Sequence, residues 1–334
     1  MLRLISVLRL ISVVVVMVLI PLISMADSKP NFLVIVADDM GWSDTQPFGG
    51  EINTPNLVAL ADNGLRMTDF YVAPTCSPTR SMLMTGVDHH AVGLGTMKGL
   101  QTPKQKQLPH YQGQLMNNNV TVAELLQSHG YQTLMAGKWH LAKDESQYPS
   151  RRGFDHTFTL LEGGASHFGD ALPLHQGARA QYLENGEPVE LDEDFYSSIH
   201  YTDKIIDYLK QGDGQQPFFA YVAYTAPHDP LQVPDEWLER YRGQYDQGPA
   251  ALRQQRLARL AQMGMVKENS DLWQAPQFPP WLPLYQSAWS ERSAEERTRA
   301  SRPMEIYAAM IELMDTQIGR IIAVSYTHLR AHAV

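Results

Sequence analysis

The chain of 334 residues is 44% hydrophobic and 19% charged, which gives it the length and make-up to bury a large core and excludes a disordered or fibrous chain. Its net charge of −9, with no block of lysine or arginine, argues against nucleic acid and anionic membrane surfaces as partners. A small anionic substrate stays open, because a few converging cations outweigh the global sign locally.

The first 26 residues set Arg3 and Arg9 before an apolar run from Leu10 to Ile23, and end in the small-x-small Ser24-Met25-Ala26. This pattern predicts a secretory signal peptide cleaved before Asp27, hence a secreted or periplasmic protein with no stable membrane partner; an uncleaved anchor helix is the alternative. No cysteine follows the run, which argues against lipoprotein attachment. Export makes the single cysteine, Cys76, unusual, since a lone thiol in an oxidising compartment has no partner in its own chain. Inert burial, an intermolecular bridge and chemical use are the three readings open to it.

"PNFLVIVADDMGWSD" opens with an apolar, β-branched run from Asn31 to Ala37, the pattern of a strand buried on both faces, and stops at Asp38-Asp39. "TPNLVALADNG" predicts a helix capped by Thr54, with Pro55 at its first position and Gly64 at its end. "LRMTDFYV" predicts a second strand running into "CSPTR", where a helix starts around Pro78. "TVAELLQSHG" is a helix with Thr121 and Glu124 in capping-box spacing, closed by Gly130. "YQTLMAGKWH" is a strand leading into Lys138 and His140, and "YLENGEPVEL" a hairpin through Asn185-Gly186. "YSSIHYTDKIIDYLKQG" is a helix, and "PFFAYVAYTAPHDP" a strand ending at His228. Residues 235–300 are charged and helical, with Trp273, Trp281 and Trp289 read as packing residues of a surface insertion. "RPMEIYAAMIELMDTQIGRIIA" closes the fold as an amphipathic helix, and "VSYTHLRAHAV" after it, lacking periodicity and cap, reads as a non-native tail.

Alternating strands and helices predict an α/β domain with a large, mostly parallel (mixed) sheet flanked by helices over residues 27–323. In such sheets ligands bind beyond the carboxyl ends of the strands, so Asp38-Asp39, Lys138 with His140, and His228 are expected to meet at one edge. Two carboxylates at a turn suit Ca²⁺ or Mg²⁺. Arg80 and Lys138 bring positive charge, the histidines move protons near neutral pH, and free N–H groups at a helix start near Cys76 favour an anion. The His89-His90 pair is open to a structural and a functional reading equally and is assigned no role. The expected pocket is cation-rich and metal-bearing, shaped for a tetrahedral oxyanion.

These residues resemble the type I sulfatases, most closely the soluble bacterial arylsulfatases. "CSPTR" is similar to that family's C-x-P-S/T-R signature, and the likeness continues in order through "NFLVIVADDMGWSD", "TGVDHH", "GYQTLMAGKWH", "FFAYVAYTAPHDPL" and "MEIYAAMIELMD". The resemblance implies an alkaline-phosphatase-like catalytic domain that hydrolyses small sulfate esters. It implies that a maturation enzyme oxidises Cys76 to formylglycine, whose hydrate is the nucleophile. It further implies one Ca²⁺ held by Asp38 and Asp39 and touching position 76. Arg80 would hold the modified residue, Lys138 contact the sulfate, His140 take a proton, and His228 assist the leaving alcohol. The family's later Asp-Asn metal pair, a further lysine and the smaller C-terminal domain have no counterpart before Val334, so the resemblance also implies a truncated chain with weak metal binding and little activity. A phosphonate monoester or phosphodiester hydrolase of the same superfamily, or an inactive fragment, are the alternatives.

Overall fold

The computed structural model describes residues 29–174, 178–212, 214, 216–267 and 289–328. The expected signal peptide and cleavage point, Trp273 and Trp281 lie outside the described residues. Among the described residues six strands form one sheet: β1 (Phe32–Val36), β2 (Gln132–Lys138), β3 (His156–Leu160), β4 (Tyr182–Glu184), β5 (Glu187–Pro188) and β6 (Phe218–Ala223). Their order is β1-β6-β2-β3-β4-β5. The pairs among β1, β6, β2 and β3 are parallel, while β4 and β5 are antiparallel additions. The mixed, mostly parallel sheet expected from the alternation of elements is the one observed.

Helices cover both faces, which is why the central strands are apolar on both sides rather than alternating. On one face Leu134, Ala136, Ala220 and Val222 pack with α4 (Ser197–Gln211) and α6 (Ala294–His328) through Ile205, Ile206, Met310, Ile311, Met314 and Ile318. On the other, Met135, Phe219, Tyr221 and Ala223 pack with Met84 of α2 (Cys76–Thr85) and Ala123 of α3 (Val122–Ser128). Each fully buried Ile or Leu contributes roughly 1.5–3 kcal/mol, so these two layers dominate the fold's stability. Gly137 makes β2 possible at its end: its φ is +116°, and a Cβ there would sit 2.0 Å from the Ala223 carbonyl oxygen. β2 and β6 therefore leave no room for a side chain at Gly137, the residue before Lys138.

Local signals fared unevenly. The capping box on α3 is complete, with the Glu124 amide donating to Thr121 Oγ1 at 3.0 Å and the Thr121 amide donating to Glu124 Oε2 at 2.7 Å. Thr121 Oγ1 also donates to the Arg152 carbonyl at 2.9 Å. Thr121→Ala is accordingly expected to cost about 1–2 kcal/mol, read from the urea midpoint. Asn185 and Gly186 take φ values of 52° and 94° in the β4–β5 hairpin, as the Asn-Gly turn predicts. In α1 (Pro55–Asp62), by contrast, Thr54 makes no cap bond. Its hydroxyl accepts from the Gln46 amide instead, while the helix runs to Asp62 with Asn63 as its C-cap and Gly64 next after it.

Two expectations are corrected outright. "LRMTDFYV" forms no strand: Leu65, Met67, Phe70, Tyr71 and Val72 are exposed and no described strand pairs with them. A β-prone run becomes a strand only with a ladder to join. The helix read as ending near Ile322 continues to His328, into the stretch read as a non-native tail. That stretch contains no Gly or Pro, so nothing in it stops a helix already propagating. Residues 235–267 carry a 3-10 turn at Asp235–Trp237 and α5 (Pro249–Gln262). Trp289 donates to the Asp246 carbonyl and packs against Gly248, a structural role. No helix among the described residues is long and apolar enough to cross a membrane.

Candidate active site

Because β1, β6 and β2 run parallel, their carboxyl ends open on the same side, and the chain leaving each contributes to one cluster. β1 leads into Asp38 and Asp39, and the Asp38 amide donates to the Ala226 carbonyl beyond β6 at 3.1 Å. Asp39 then turns with a φ of +62°, a conformation few non-glycine residues adopt. This turn is clamped from behind. Asp44 accepts from the Gly41 amide at 2.7 Å and from the Tyr307 hydroxyl of α6 at 2.5 Å, and it pairs with Arg256 of α5.

Asp38 is the hub. Lys138 Nζ reaches its Oδ2 at 2.5 Å and Arg80 Nη2 its Oδ1 at 3.2 Å, and all three side chains are at most 4% exposed. Burial alone would raise the Asp38 carboxyl, but Arg80 and Lys138 beside it hold it below its ordinary value. Arg80 also donates to the Lys138 carbonyl at 3.0 Å and to the Tyr221 hydroxyl at 3.3 Å. Those bonds tie α2 to the end of β2 and to the middle of β6.

Cys76 stands at the first position of α2, after Thr75, four residues and about one turn before Arg80. The helix thus begins at the cysteine, two residues earlier than Pro78 suggested. Cys76 Sγ lies 3.2 Å from His140 Nδ1 and 3.3 Å from Met97 Sδ, and the thiol is only half-buried. His140 has a φ of +56° and is held by its amide to the Leu161 carbonyl at 3.2 Å. Its ring fills the space above Gly163, where a Cβ would come within 2.6 Å of it. Burial first, then Lys138 and Arg80, lower the His140 imidazole to about 3, so the ring is neutral across the physiological range.

His228 faces Asp39 Oδ2 through Nε2 at 3.5 Å, and its Nδ1 donates to the Asp229 carbonyl at 2.7 Å. With the Nδ1 proton committed, Nε2 is the nitrogen that takes up a proton from the pocket, and it has one to hand over only in the imidazolium form. Behind it, buried His167 donates from Nε2 to the His228 carbonyl at 3.0 Å and accepts from Ser197 Oγ at 2.7 Å. Burial lowers His167 to about 4. Between pH 6.5 and about 4 the unfolded chain therefore binds a proton that the folded chain refuses, so stability rises with pH in this window and falls on acidification. The expected slope from this residue is up to about 1.4 kcal/mol per pH unit. Urea midpoints from pH 7 to pH 4.5 should show a shallower slope for His167→Gln than for the parent, and parallel slopes would contradict the assignment.

All the residues expected to carry chemistry are thus joined: Asp38, Asp39, Cys76, Arg80, Lys138, His140 and His228. Two of their expected tasks look different in place. Lys138 is fully buried with its ammonium on Asp38, so in this arrangement it neutralises a carboxylate rather than facing the pocket. Asp38, Asp39 and Cys76 do not gather their ligand atoms within 4.8 Å, the spacing that the described residues show for Asp88, His89 and His90. The two carboxylates fit Ca²⁺ or Mg²⁺ in kind but supply only part of a six- to eight-oxygen calcium shell, and both oxygens of Asp38 are already engaged by cations. Reading the sequence missed Asp44, Tyr307, His167, Tyr221 and Gly163. The Gly163-Gly164 pair after β3 was the one local signal available; the others act through contacts distant in sequence.

The sulfatase family model matches residues 30–324. An uncharacterized sulfatase of Schizosaccharomyces pombe is 44% identical over 305 residues, which covers 88% of this chain and 54% of that protein. An arylsulfatase of Klebsiella aerogenes is 44% identical over 295 residues, covering 88% of this chain and 61% of that one. The crystal structure of Ps i-CgsB shares the fold with a TM-score of 0.63 at 24% identity, over 90% of this chain and 55% of that structure. The chain therefore spans a little over half the length of these relatives. With the family pattern running from residue 30 to residue 324 and the strand-end cluster assembled around Cys76, Arg80 and Asp38, the chain belongs to the sulfatase family.

Proposed function

We propose that the chain carries the catalytic core of an exported sulfuric ester hydrolase acting on aryl sulfates, with Cys76 as the precursor of the nucleophile. The observation that carries this is the placement of Cys76 at the start of α2, 3.2 Å from a neutral His140 and one helical turn before Arg80 of the buried Asp38–Arg80–Lys138 cluster. A helix start with free N–H groups and two buried cations beneath it offers a tetrahedral dianion the positive surroundings it needs. The leader sequence supports export, and a maturation enzyme of the host is the partner that oxidation of Cys76 requires.

Oxidised to a hydrated aldehyde, position 76 supplies an oxygen nucleophile with a second hydroxyl that allows sulfate to be expelled without water attacking sulfur. Asp38 and Asp39 are the residues that would hold a divalent cation, which when bound would supply positive charge toward sulfate oxygens. Neutral His140, with Nδ1 facing position 76, is placed to accept a proton from the hydroxyl there. His228 Nε2, 3.5 Å from the exposed Asp39, is placed to give a proton to the departing oxygen when the ring is the imidazolium. Arg80 fixes the strand-end carbonyl of Lys138 and keeps the floor cationic.

The test is paired kinetics on nitrophenyl sulfate and a matched aryl phosphonate, using chain co-produced with a formylglycine-generating enzyme. Faster turnover of the sulfate supports the reading. Preference for the phosphonate would assign the site to phosphonate monoester hydrolysis, and no turnover of either would mark this chain as an inactive fragment.

A further inference from the structure

Away from this cluster, the segment after α2 gathers two imidazoles and a carboxylate that the proposed hydrolysis does not use. We propose that Asp88, His89 and His90 form a site for a borderline-soft divalent cation, Zn²⁺ or Cu²⁺, distinct from the hard-oxygen turn at Asp38 and Asp39. Each residue offers a donor atom, and the three donors lie within 4.8 Å of one another, the one such group among the described residues. Tetrahedral zinc with bonds near 2.0–2.1 Å wants donors about 3.3 Å apart, a distance within reach of small side-chain rotations. Asp88 Oδ1 and His90 Nδ1 are already 3.1 Å apart.

The tautomer of one ring is set in advance. His89 Nδ1 donates to the Leu94 carbonyl at 2.8 Å, which fixes the proton on Nδ1 and leaves the Nε2 lone pair free. A carbonyl partner on the non-ligating nitrogen is the arrangement that holds metal-binding histidines in place. The backbone carrying both rings is pinned as well. The His89 carbonyl accepts from the Leu94 amide at 2.8 Å, and the His90 carbonyl accepts from the Gly93 amide and from His110 Nδ1, each at 3.2 Å. The two rings lie 4.2 Å apart between centroids, and Tyr111 packs edge-on against His90 at 5.7 Å. Asp88 and His90 are exposed, so a cation enters from solvent without opening the fold.

Donor chemistry sets the class of cation. Two nitrogens and one carboxylate suit zinc and copper, whereas Ca²⁺ and Mg²⁺ prefer all-oxygen shells. Three protein donors leave a fourth position for water or an exogenous ligand. The same segment continues to Met97, whose sulfur touches Cys76, so an occupied site would brace one wall of the pocket above the nucleophile position.

Titration calorimetry of ZnCl₂ into the full chain, in chelator-free buffer with excess Ca²⁺, tests this directly. One equivalent should bind with micromolar affinity, and His89→Ala and His90→Ala should each weaken it by about tenfold or more. His129→Ala, an exposed histidine elsewhere, should leave it unchanged. Electron paramagnetic resonance of the Cu²⁺ form should show coupling to imidazole nitrogen in the parent and lose it in the double variant. Zinc affinity unchanged in both His variants, binding abolished by the excess Ca²⁺, or no saturable binding by the parent would each overturn the proposal. Urea midpoints of the metal-free variants matching the parent exclude a folding defect as the cause of lost binding.

Discussion

Asp38→Ala is expected to destabilise the chain by about 3–5 kcal/mol, because it strands Lys138 and Arg80 in the interior without a counter-charge. The surviving pair would be two buried cations within reach of each other, and no water-exposed route relaxes a lysine with no exposed surface. Asp38→Asn should cost less, since it keeps a hydrogen-bond acceptor. Adding Lys138→Met to Asp38→Ala should recover much of the loss, because the desolvation of the ammonium disappears with the charge. Chemical denaturation of the three variants reads this out. A loss below about 1 kcal/mol for Asp38→Ala would mean that the cluster is not the buried ion network described. The pH dependence has a definite sign. The Asp38 carboxyl is depressed in the fold, so its stabilisation is present above the ordinary carboxylate range and is lost as pH falls through the folded value.

Cys76→Ala is expected to lower sulfate ester hydrolysis by about 10⁴-fold or more, with little change in stability. The two effects separate because the thiol is only half-buried and touches His140 and Met97 rather than the hydrophobic layers. The measurement is nitrophenyl sulfate turnover beside a urea midpoint for the same preparation. Loss of turnover with an unchanged midpoint assigns Cys76 to chemistry. Retained turnover would move the nucleophile elsewhere.

Much of the site was legible because strand termini are legible. Apolar runs ending at Asp38, Lys138 and His228 needed only the rule that parallel strands open on one side to be brought together. The capping box at Thr121 and the turn at Asn185-Gly186 were equally readable, being decided within four residues. What escaped is decided over distance. Nothing near Asp44 announces that Arg256 and Tyr307, more than 200 positions later, will hold it against Gly41. His167 is invisible until the fold carries it behind His228. "LRMTDFYV" has the composition of a strand, yet strand formation depends on a partner that composition does not name. The continuation of α6 past Ile322 fails in the opposite direction: periodicity fades, but a helix already nucleated needs only the absence of a breaker. Lys138 shows a subtler limit. Its position was readable, while its commitment to Asp38 follows from burial, which only the assembled layers create.

The central claim is that Cys76 is a precursor and not a finished residue. Arg66 and Arg80 bound a tryptic peptide, residues 67–80, that carries it as the sole cysteine of the chain. Mass spectrometry of that peptide, from protein made alongside a formylglycine-generating enzyme, tests the claim most directly. The account predicts the mass of the aldehyde form, trapped as a hydrazone by an added hydrazide; a peptide recovered wholly as the thiol, alkylated at Cys76 and inert to hydrazide, would contradict it.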